Sequence, residues 1–151
     1  MGRLANRAMS NPLEHLQTSV WPLLEQVYGL PAGVLNAIAG VETGGTYNPR
    51  LVNADSQAKG LFQLRPIALE QVRLDSGIRF DPLSAGAASA AAAILLRRYL
   101  RMFRVDVNLA LAAYNAGEGR VKRFLREVQA QGTGKLPLET ARYVQKVTGA
   151  L

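Results

Sequence analysis

The sequence has no cysteine and only one histidine, His15, among its 151 residues. Without cysteine, disulfide bonds and thiolate metal ligands are excluded. One histidine is too few for a histidine-based zinc site. Nucleophilic catalysis by a Ser/His or Cys/His pair would depend on that one residue near the N-terminus. Acid–base chemistry is therefore expected from carboxylates or tyrosines, with no metal and no cofactor.

Long hydrophobic runs are also missing. The longest apolar stretch, residues 85–96, is short, rich in alanine and interrupted by Gly86 and Ser89, so no membrane span is predicted. The first residues carry Arg3 and Arg7 without a following apolar segment, and this does not match a signal peptide. The chain length is that of one domain with a substantial core.

Negative charge is scarce in the last third of the chain. Residues 1–96 carry seven basic and seven acidic side chains, whereas residues 97–151 carry eleven basic and four acidic ones, so the whole net charge of +7 lies there. Two basic clusters at helical spacing are Arg97, Arg101 and Arg104, and Lys122, Arg123 and Arg126. An acidic polymer or surface as partner is one interpretation of this asymmetry, and an arginine-rich solvated face is the other.

Proline, glycine and capping residues divide the chain into segments whose apolar residues recur at helical spacing. The sequence therefore predicts a compact, mainly α-helical domain without repeats, in which only residues 43–57 have room for a minimal β-hairpin. Helices are expected over residues 12–28 with a kink at Pro22, 31–42, 60–64, 66–75, 82–103 capped by Asp81, 107–114 capped by Asp106, about 121–128 and 137–147, with Gly117 and Gly119 both breaking helix.

Glu42 occupies a position where the helical pattern calls for an apolar side chain. Val34, Leu35, Ile38 and Val41 form a stripe at i, i+1, i+4 and i+7, and Glu42 is its next member. A carboxylate pointing toward a core or cleft is desolvated, which raises its pKa and keeps it protonated near neutral pH. The alternative is a glutamate at a fraying last turn that points to water.

Two further strings place polar side chains beside glycines and apolar residues, where the local helical or turn pattern does not require them. In the string from Gly60 to Gln63, a glycine that permits close backbone approach is followed by two large apolar residues and an amide. In the second string, Tyr114 and Asn115 place a phenol and an amide at a helix end beside Gly117. Taken singly, Gln63 is compatible with a capping role and Tyr114 with a core aromatic whose hydroxyl is wet.

Five strings in this order resemble the catalytic domain of the soluble lytic transglycosylases, in the goose-type lysozyme superfamily. The family pattern is a Glu-Ser pair ending a helix, an Asn-Pro, a Gly-Leu-Met-Gln turn, an Ala-Tyr-Asn-Ala-Gly string and a final Glu-Thr-x-x-Tyr-Val. The corresponding strings here are Glu42-Thr43, Asn48-Pro49, Gly60-Leu61-Phe62-Gln63, Ala113-Tyr114-Asn115-Ala116-Gly117 and Glu139-Thr140-Ala141-Arg142-Tyr143-Val144. Thr43 departs from the family serine, and the loop before Gly60 is longer than usual, so that Ser56 is the best candidate for its serine.

The resemblance implies a lysozyme-like helical domain over residues 30–151. Residues 1–29 have no firm counterpart, and we expect a helical extension packed on the domain that is also a candidate for docking to phage or secretion-machine proteins. The implied substrate is peptidoglycan, with no nucleic acid as partner. Its place of action would be the cell wall or periplasm, and without a predicted signal peptide the chain is expected to be phage-encoded, virion-borne or exported by a dedicated machine.

The activity implied by the resemblance is cleavage of the β-1,4 bond between N-acetylmuramic acid and N-acetylglucosamine, with formation of a 1,6-anhydro ring. Glu42 would act first as acid and then as base, and Tyr143 would orient Glu42 or the acetamido group. Whether Asp55 or Glu139 assists Glu42 is left open. The residues expected to hydrogen-bond the sugars are Ser56, Gln63, Tyr114 and Asn115.

Three alternatives are also compatible with the sequence. A hydrolytic lysozyme of the same fold would use water, positioned by Asp55, in place of the C6 hydroxyl. A non-catalytic basic helical protein that binds nucleic acid or an acidic polymer would account for the charge asymmetry but not for Glu42. A virion or secretion-machine component would keep the domain mainly for docking.

Overall fold

The structure is a computed structural model that describes residues 11–151. The part of the predicted N-terminal extension before Asn11 lies outside the described residues. The helices are α1 (Pro12–His15), α2 (Trp21–Tyr28), α3 (Val34–Glu42), α4 (Pro66–Ser76), α5 (Ala85–Met102), α6 (Val107–Ala116), α7 (Glu118–Gln131) and α8 (Leu138–Gly149).

The helical segment before α3 is irregular at Pro22. Leu16–Val20 forms a π-helical turn between α1 and α2, and Pro22 follows at the second position of α2. Because proline lacks an N–H and its ring crowds the carbonyl four residues earlier, one widened turn absorbs the mismatch without ending the helix. Gly29 then ends α2 in a left-handed conformation with φ of 66°.

Helix α5 lies at the centre of the core and is packed against α2, α4 and α6. Its alanine-rich face lets these helices approach closely, and Ala88, Ala91, Ala92 and Ala93 are fully buried. Trp21 of α2 is buried against this face, and its indole N–H donates to the Ser89 hydroxyl over 2.8 Å. The end of the N-terminal segment therefore shares the core of the domain, whereas the predicted division after residue 29 stays a prediction.

An ion-pair network ties three helices together on one side of the core. The Arg98 guanidinium of α5 donates to both Glu118 oxygens of α7, over 2.8 and 3.0 Å, and to Asp75 of α4 over 3.1 Å. A guanidinium that serves two carboxylates holds a fixed geometry better than a single surface pair does. The start of α7 is thereby held near the C-terminal end of α5.

The β structure is limited to isolated bridges in the loop region. Val52 and Leu64 each form an antiparallel bridge with Lys59, which confirms the prediction of a mainly helical domain with minimal β content, although Lys59 and Leu64 lie beyond the predicted range of residues 43–57. The predicted helical turn at residues 60–64 is wrong, because the bridge from Lys59 to Leu64 closes this segment as a tight turn. Gln63 has a left-handed φ of 46°, which an α-helix does not accommodate.

Gly60 holds this turn against the start of α5. Its φ is +81°, and a Cβ on it would lie 1.8 Å from the carbonyl oxygen of Pro82. The predicted start of α5 at residue 82 is also wrong. Asp81 accepts the Leu83 N–H in a separate turn, and the Ser84 side chain accepts the Ala87 N–H as the cap of the helix.

A single glycine separates α6 from α7. Gly117 has φ of 90° and ψ of 151°, which turns the chain after Ala116, and helix resumes at Glu118. The prediction that Gly119 also breaks helix is wrong, because Gly119 lies inside α7. The Asp106 cap was predicted correctly, since its carboxylate accepts the Leu109 N–H over 3.0 Å.

Candidate active site

Helix α3, which carries Glu42, is anchored at its other end by a buried carboxylate. Glu25 of α2 is 6% exposed, and its two oxygens accept the N–H groups of Gly33 over 3.1 Å and Leu35 over 2.9 Å. The first N–H groups of a helix have no partner within the helix, and Gly33 offers no side chain to cap them. A carboxylate from the neighbouring helix therefore takes the place of a local cap.

Glu42 is the last residue of α3 and is half-buried. Burial raises the pKa of its carboxyl from 4.5 to about 7, and this is the largest effect on the group. The Tyr143 hydroxyl and the Arg65 charge act in the opposite direction, while the Glu139 charge raises the pKa further. At neutral pH a substantial fraction of Glu42 is therefore protonated and able to donate a proton.

The Tyr143 phenol lies beside the Glu42 carboxyl. Its ring is 6% exposed on α8, and its hydroxyl has no hydrogen-bond partner of full geometry among the described residues. The hydroxyl is nevertheless close enough to Glu42 to lower the pKa of that carboxyl as a donor. A buried hydroxyl without a firm partner is unusual, and here it is directed at the carboxyl of α3.

Tyr114 packs against Tyr143, and its hydroxyl proton is used in a hydrogen bond within the protein. The two rings are parallel, with centroids 6.5 Å apart and an interplanar angle of 2°. The Tyr114 hydroxyl donates to the carbonyl oxygen of Phe62 over 2.8 Å. The single donor of this phenol is therefore used inside the protein, and Tyr114 supports the ring of Tyr143 and the turn that carries Phe62.

Asn115 has a free donor group. Its Oδ1 accepts the Thr140 hydroxyl over 2.8 Å, and its backbone carbonyl accepts one N–H of the Arg65 guanidinium over 3.3 Å. No described residue accepts from the side-chain NH₂ group. Because Thr140 fixes the orientation of the amide, this NH₂ group is held ready for an acceptor outside the protein.

Gln63 has the opposite arrangement. Its side-chain NH₂ donates to the carbonyl oxygens of Leu51 over 3.0 Å and Gly60 over 2.8 Å, which ties the ends of the loop together. Its side-chain oxygen has no donor among residues 11–151. Gln63 thus holds the loop and presents one acceptor.

Thr43, which departs from the family serine, is a buried structural residue. Its hydroxyl donates to the Ala39 carbonyl over 2.7 Å and accepts the Tyr47 N–H over 2.9 Å. The Tyr47 ring packs against Trp21 with centroids 6.5 Å apart, and its hydroxyl lies 2.8 Å from where a Cβ of Gly40 would be. The hydroxyl of Thr43 therefore fixes the chain just after Glu42.

The loop residues Asp55 and Ser56 are exposed. The Ser56 hydroxyl accepts the Ala58 N–H over 3.3 Å, and the Asp55 N–H donates to Asn53 over 3.0 Å. Asp55 is not among the charges that shift the pKa of Glu42, whereas the exposed Glu139 is. Sugar binding by Ser56 stays a prediction.

The structure brings Glu42, Gln63, Tyr114, Asn115 and Tyr143 into one region through direct contacts and shared neighbours. Sequence reasoning missed Glu25, Tyr47, Arg65 and Thr140. Thr140 lies within the last motif string, and Arg65 directly precedes the proline that starts α4, so both were within reach of the motif argument. Glu25 carries no local signal, because its partners are eight and ten residues away.

The basic clusters predicted from the sequence are mostly exposed to solvent. The exposed members are Arg101, Arg104, Lys122, Arg123 and Arg126. Arg97 is half-buried, and its guanidinium lies 5.5 Å from the centre of the Tyr28 ring. No helix in the described part of the chain is both long and apolar enough to cross a membrane. Within residues 11–151, no cluster of three or more acidic or histidine side chains is arranged to hold a metal ion.

Comparison with known proteins identifies the same fold. The model of the transglycosylase SLT domain family matches residues 19–136. An inactive mutant of the lytic transglycosylase Slt from Pseudomonas aeruginosa superposes with a TM-score of 0.68 and 26% identity, over 84% of this chain and 22% of that one. The 70 kDa soluble lytic transglycosylase from Escherichia coli gives a TM-score of 0.64 and 25% identity, over 78% of this chain and 20% of that one. The predicted lysozyme-like fold class is thereby confirmed.

Curated relatives agree with this result. Membrane-bound lytic murein transglycosylase D from Escherichia coli strain K12 is 33% identical over 99 residues, which is 61% of this chain and 22% of that protein. The protein of the same description from strain CFT073 gives the same values. The chain thus spans about a fifth of the length of the relatives it matches.

Proposed function

The chain belongs to the transglycosylase SLT domain family, and on that premise we propose that it cleaves the β-1,4 bond between N-acetylmuramic acid and N-acetylglucosamine of peptidoglycan without consuming water. The observation that carries the proposal is the half-buried carboxyl of Glu42, whose pKa is raised to about 7 and which lies beside the buried Tyr143 phenol, a hydroxyl without a hydrogen-bond partner of full geometry among the described residues. A general acid works best when its pKa lies near the working pH.

In the proposed reaction, protonated Glu42 donates its proton to the glycosidic oxygen as the bond from C1 of the muramic residue to that oxygen breaks. The positive charge that develops at C1 is supported by the acetamido group of the same sugar. The C6 hydroxyl oxygen then forms a bond to C1, and its proton passes to Glu42. The products are a 1,6-anhydro end and a free hydroxyl on the leaving sugar, and Glu42 is protonated again.

The neighbours of Glu42 suit this double role. Donation from the Tyr143 hydroxyl stabilises the carboxylate that exists between the two proton transfers, and the Arg65 charge acts in the same sense. The free NH₂ group of Asn115 and the free oxygen of Gln63 offer one donor and one acceptor for the acetamido and hydroxyl groups of the sugars.

The scarcity of a second carboxylate supports a transglycosylase over a hydrolytic lysozyme. Most glycosidases flank the scissile bond with two carboxyl groups, one as acid and the other as nucleophile or base. Asp55 is exposed and is not among the charges that shift the pKa of Glu42, and the effect of the Glu139 charge on this pKa is weaker than those of burial, Tyr143 and Arg65. One carboxyl that serves twice fits this set of residues.

The test uses purified peptidoglycan, the wild-type protein and the Glu42→Gln variant. The wild type is expected to release fragments whose muramic ends are lighter by one water than hydrolysed ends, as measured by mass spectrometry, and the variant is expected to release none. Hydrated ends from the wild type would support the lysozyme instead. Undiminished release by Glu42→Gln would remove Glu42 from the mechanism.

The biological setting follows from the substrate and is part of the same proposal. The site of action is the cell wall, and delivery by a phage or a dedicated secretion machine, with residues 1–29 as the docking element, stays a prediction. The neighbouring genes test whether the chain is delivered by a phage or by a secretion machine. Co-purification of a delivery protein with the full chain, and its loss when the exposed Leu23 and Val27 of α2 are replaced by Ser, tests residues 1–29 as the docking element.

A further inference from the structure

A separate cavity of about 210 Å³ adjoins the candidate active site. It lies between α4, α5 and the start of α7, and it shares Gln63 and Tyr114 with the site. Ile67 and Leu95 contribute apolar surface, and Arg65 and Tyr99 contribute polar groups. The proposed proton transfers at Glu42 do not use this space.

Arg65 forms no ion pair with a carboxylate in the described part of the chain, although its charge lowers the pKa of the Glu42 carboxyl. It is half-buried, and one N–H of its guanidinium donates to the Asn115 carbonyl, whereas the ion pairs of residues 11–151 do not include it. The carboxylate that also lines the cavity, Glu118, is already engaged by Arg98 through both oxygens. The unpaired charge at the wall of the cavity is therefore positive.

Tyr99 adds a neutral donor to the same cavity. Its side chain is 6% exposed, and none of residues 11–151 accepts a hydrogen bond from its hydroxyl. Burial raises the pKa of this phenol to about 12, so it keeps its proton over the physiological range. A guanidinium with free N–H groups and a neutral phenol together suit a carboxylate better than a cation or a neutral sugar.

We propose that Arg65 binds a carboxylate that the glycan strand carries next to the bond cleaved at Glu42, so that the protein selects anionic strands over neutral ones. This inference rests on the proposed function and names the feature of the substrate that the site recognises. Two substituents of muramic acid carry such a group, namely the lactyl ether when its peptide has been removed and the peptide itself.

The size of the cavity favours the peptide. A cavity of about 210 Å³ is larger than the few atoms of a lactyl group require, and it has room for one end of a peptide. The apolar wall at Ile67 and Leu95 suits the aliphatic part of a short peptide. We therefore expect a peptide carboxylate to reach Arg65 with its side chains along α4.

The experiment measures binding without turnover, in protein that carries Glu42→Gln. Titration calorimetry compares three tetrasaccharides: one of peptidoglycan with its peptides, the same one with bare lactyl carboxylates, and neutral chitotetraose. Adding Arg65→Met is expected to weaken binding of the peptide-bearing glycan by about tenfold, the size of one charge-assisted hydrogen bond, and to leave chitotetraose unchanged. Arg65→Lys is expected to retain part of the affinity because it keeps the charge.

The matched control is Arg101→Met in the same Glu42→Gln protein. It removes the same charge from an exposed position that lines a different cavity, so all three affinities should remain unchanged. A loss confined to the bare lactyl form would assign the carboxylate to that group, within the same proposal. An equal loss for the neutral glycan, or no loss for either anionic one, would overturn the proposal for Arg65.

The same titrations distinguish failure of the proposed function from failure of the inference about Arg65. If the Glu42→Gln protein binds none of the three tetrasaccharides, the glycan is not the ligand of the site, and the inference about Arg65 is overturned with it. If the glycans bind but Arg65→Met does not distinguish them, the glycan-cleaving function stands and only the role of Arg65 is lost. Unchanged affinity for chitotetraose also shows that the variant is folded.

Discussion

The hydroxyl of Tyr143 on α8 lies close enough to the carboxyl of Glu42 on α3 to lower its pKa, although no described residue, Glu42 included, binds this hydroxyl with full hydrogen-bond geometry. The two residues are about a hundred positions apart in the chain, and they meet because α3 packs directly against α8. Burial of Glu42 raises the pKa of its carboxyl, and the phenol moderates this effect by stabilising the charged form.

Replacing Tyr143 with Phe is therefore expected to raise the pKa of Glu42 above about 7, because the donor that favours the carboxylate is lost. The ring stays in place against Tyr114, so the change is mainly one of hydrogen bonding. Turnover at neutral pH should fall about tenfold, the effect of one charge-assisted hydrogen bond. The limb of the pH–rate profile that follows protonated Glu42 should move to higher pH, and an NMR titration of the Glu42 carboxyl should show the same shift.

Tyr114→Phe is the matched control for this prediction. It removes a hydroxyl that donates to Phe62 and does not donate to Glu42, so it should cost about 1 kcal/mol of stability without moving the pH limb. An unchanged titration of Glu42 in Tyr143→Phe would contradict the pairing. A shift of equal size in both variants would attribute it to general loosening of the site.

The pKa of Glu42 also predicts how stability depends on pH. The folded protein holds this proton more tightly than the unfolded chain, whose glutamate titrates near 4.5. The resulting stabilisation is complete below pH 4.5 and is lost as pH rises through about 7. Glu42→Gln does not titrate, so it should exceed the wild type in free energy of unfolding by on the order of 2 to 3 kcal/mol at about pH 8.

Urea denaturation at about pH 4 and about pH 8 measures this difference. Near pH 4 the two proteins should be almost equally stable, because Glu42 is protonated in both the folded and the unfolded state. Glu139→Gln, at an exposed position, serves as the control and should change stability little at either pH. A constant difference between Glu42→Gln and the wild type at both pH values would show that Glu42 titrates normally.

The sequence was sufficient for features that depend on neighbours in the chain. Proline, glycine and capping residues gave the order of the helices, and the apolar stripe before Glu42 indicated a desolvated carboxyl. The sequence was insufficient where a local feature, such as the residue that caps a helix, lies beside a contact with a distant part of the chain. Ser84 caps α5 in place of Asp81, and Pro82 lies in a separate turn whose carbonyl oxygen packs against Gly60; nothing near Pro82 in the sequence reports that contact.

The same limit applies to the candidate site. The motif strings identified Tyr114 and Gln63, and their binding of the sugars stays a prediction, but the strings did not show that the donor groups of both side chains also have partners inside the protein. The Tyr114 hydroxyl meets the Phe62 carbonyl across 52 residues of sequence, and the Gln63 NH₂ meets Leu51 and Gly60. Helix crossing and loop closure decide which polar groups are used internally, and residue spacing alone does not contain that information.

Among the carboxylates near α3, Glu25 is the one whose replacement is expected to lower the free energy of unfolding most. Glu25→Ala leaves the N–H groups of Gly33 and Leu35 without their acceptors, one of them in a buried position, which should cost about 2 to 3 kcal/mol. Glu14→Ala is the control, because it removes an exposed carboxylate from another helix start and should cost less than about 0.5 kcal/mol. Equal losses in denaturation experiments would show that the contacts of Glu25 add little to stability.

Gly60 and Gly86 both lie close to the start of α5, but only Gly60 has no room for a side chain. Gly60→Ala should destabilise the protein by more than about 3 kcal/mol, because a Cβ would lie 1.8 Å from the Pro82 carbonyl oxygen and the residue has a φ of +81°. Gly86→Ala adds the same methyl group inside α5, where nothing lies within 4 Å, and should stabilise by up to about 1 kcal/mol. Denaturant midpoints of both variants measure the contrast. Since the Gly60 carbonyl also accepts from Gln63, folded Gly60→Ala protein should lose activity as well, and a fully active variant would show that this turn tolerates displacement.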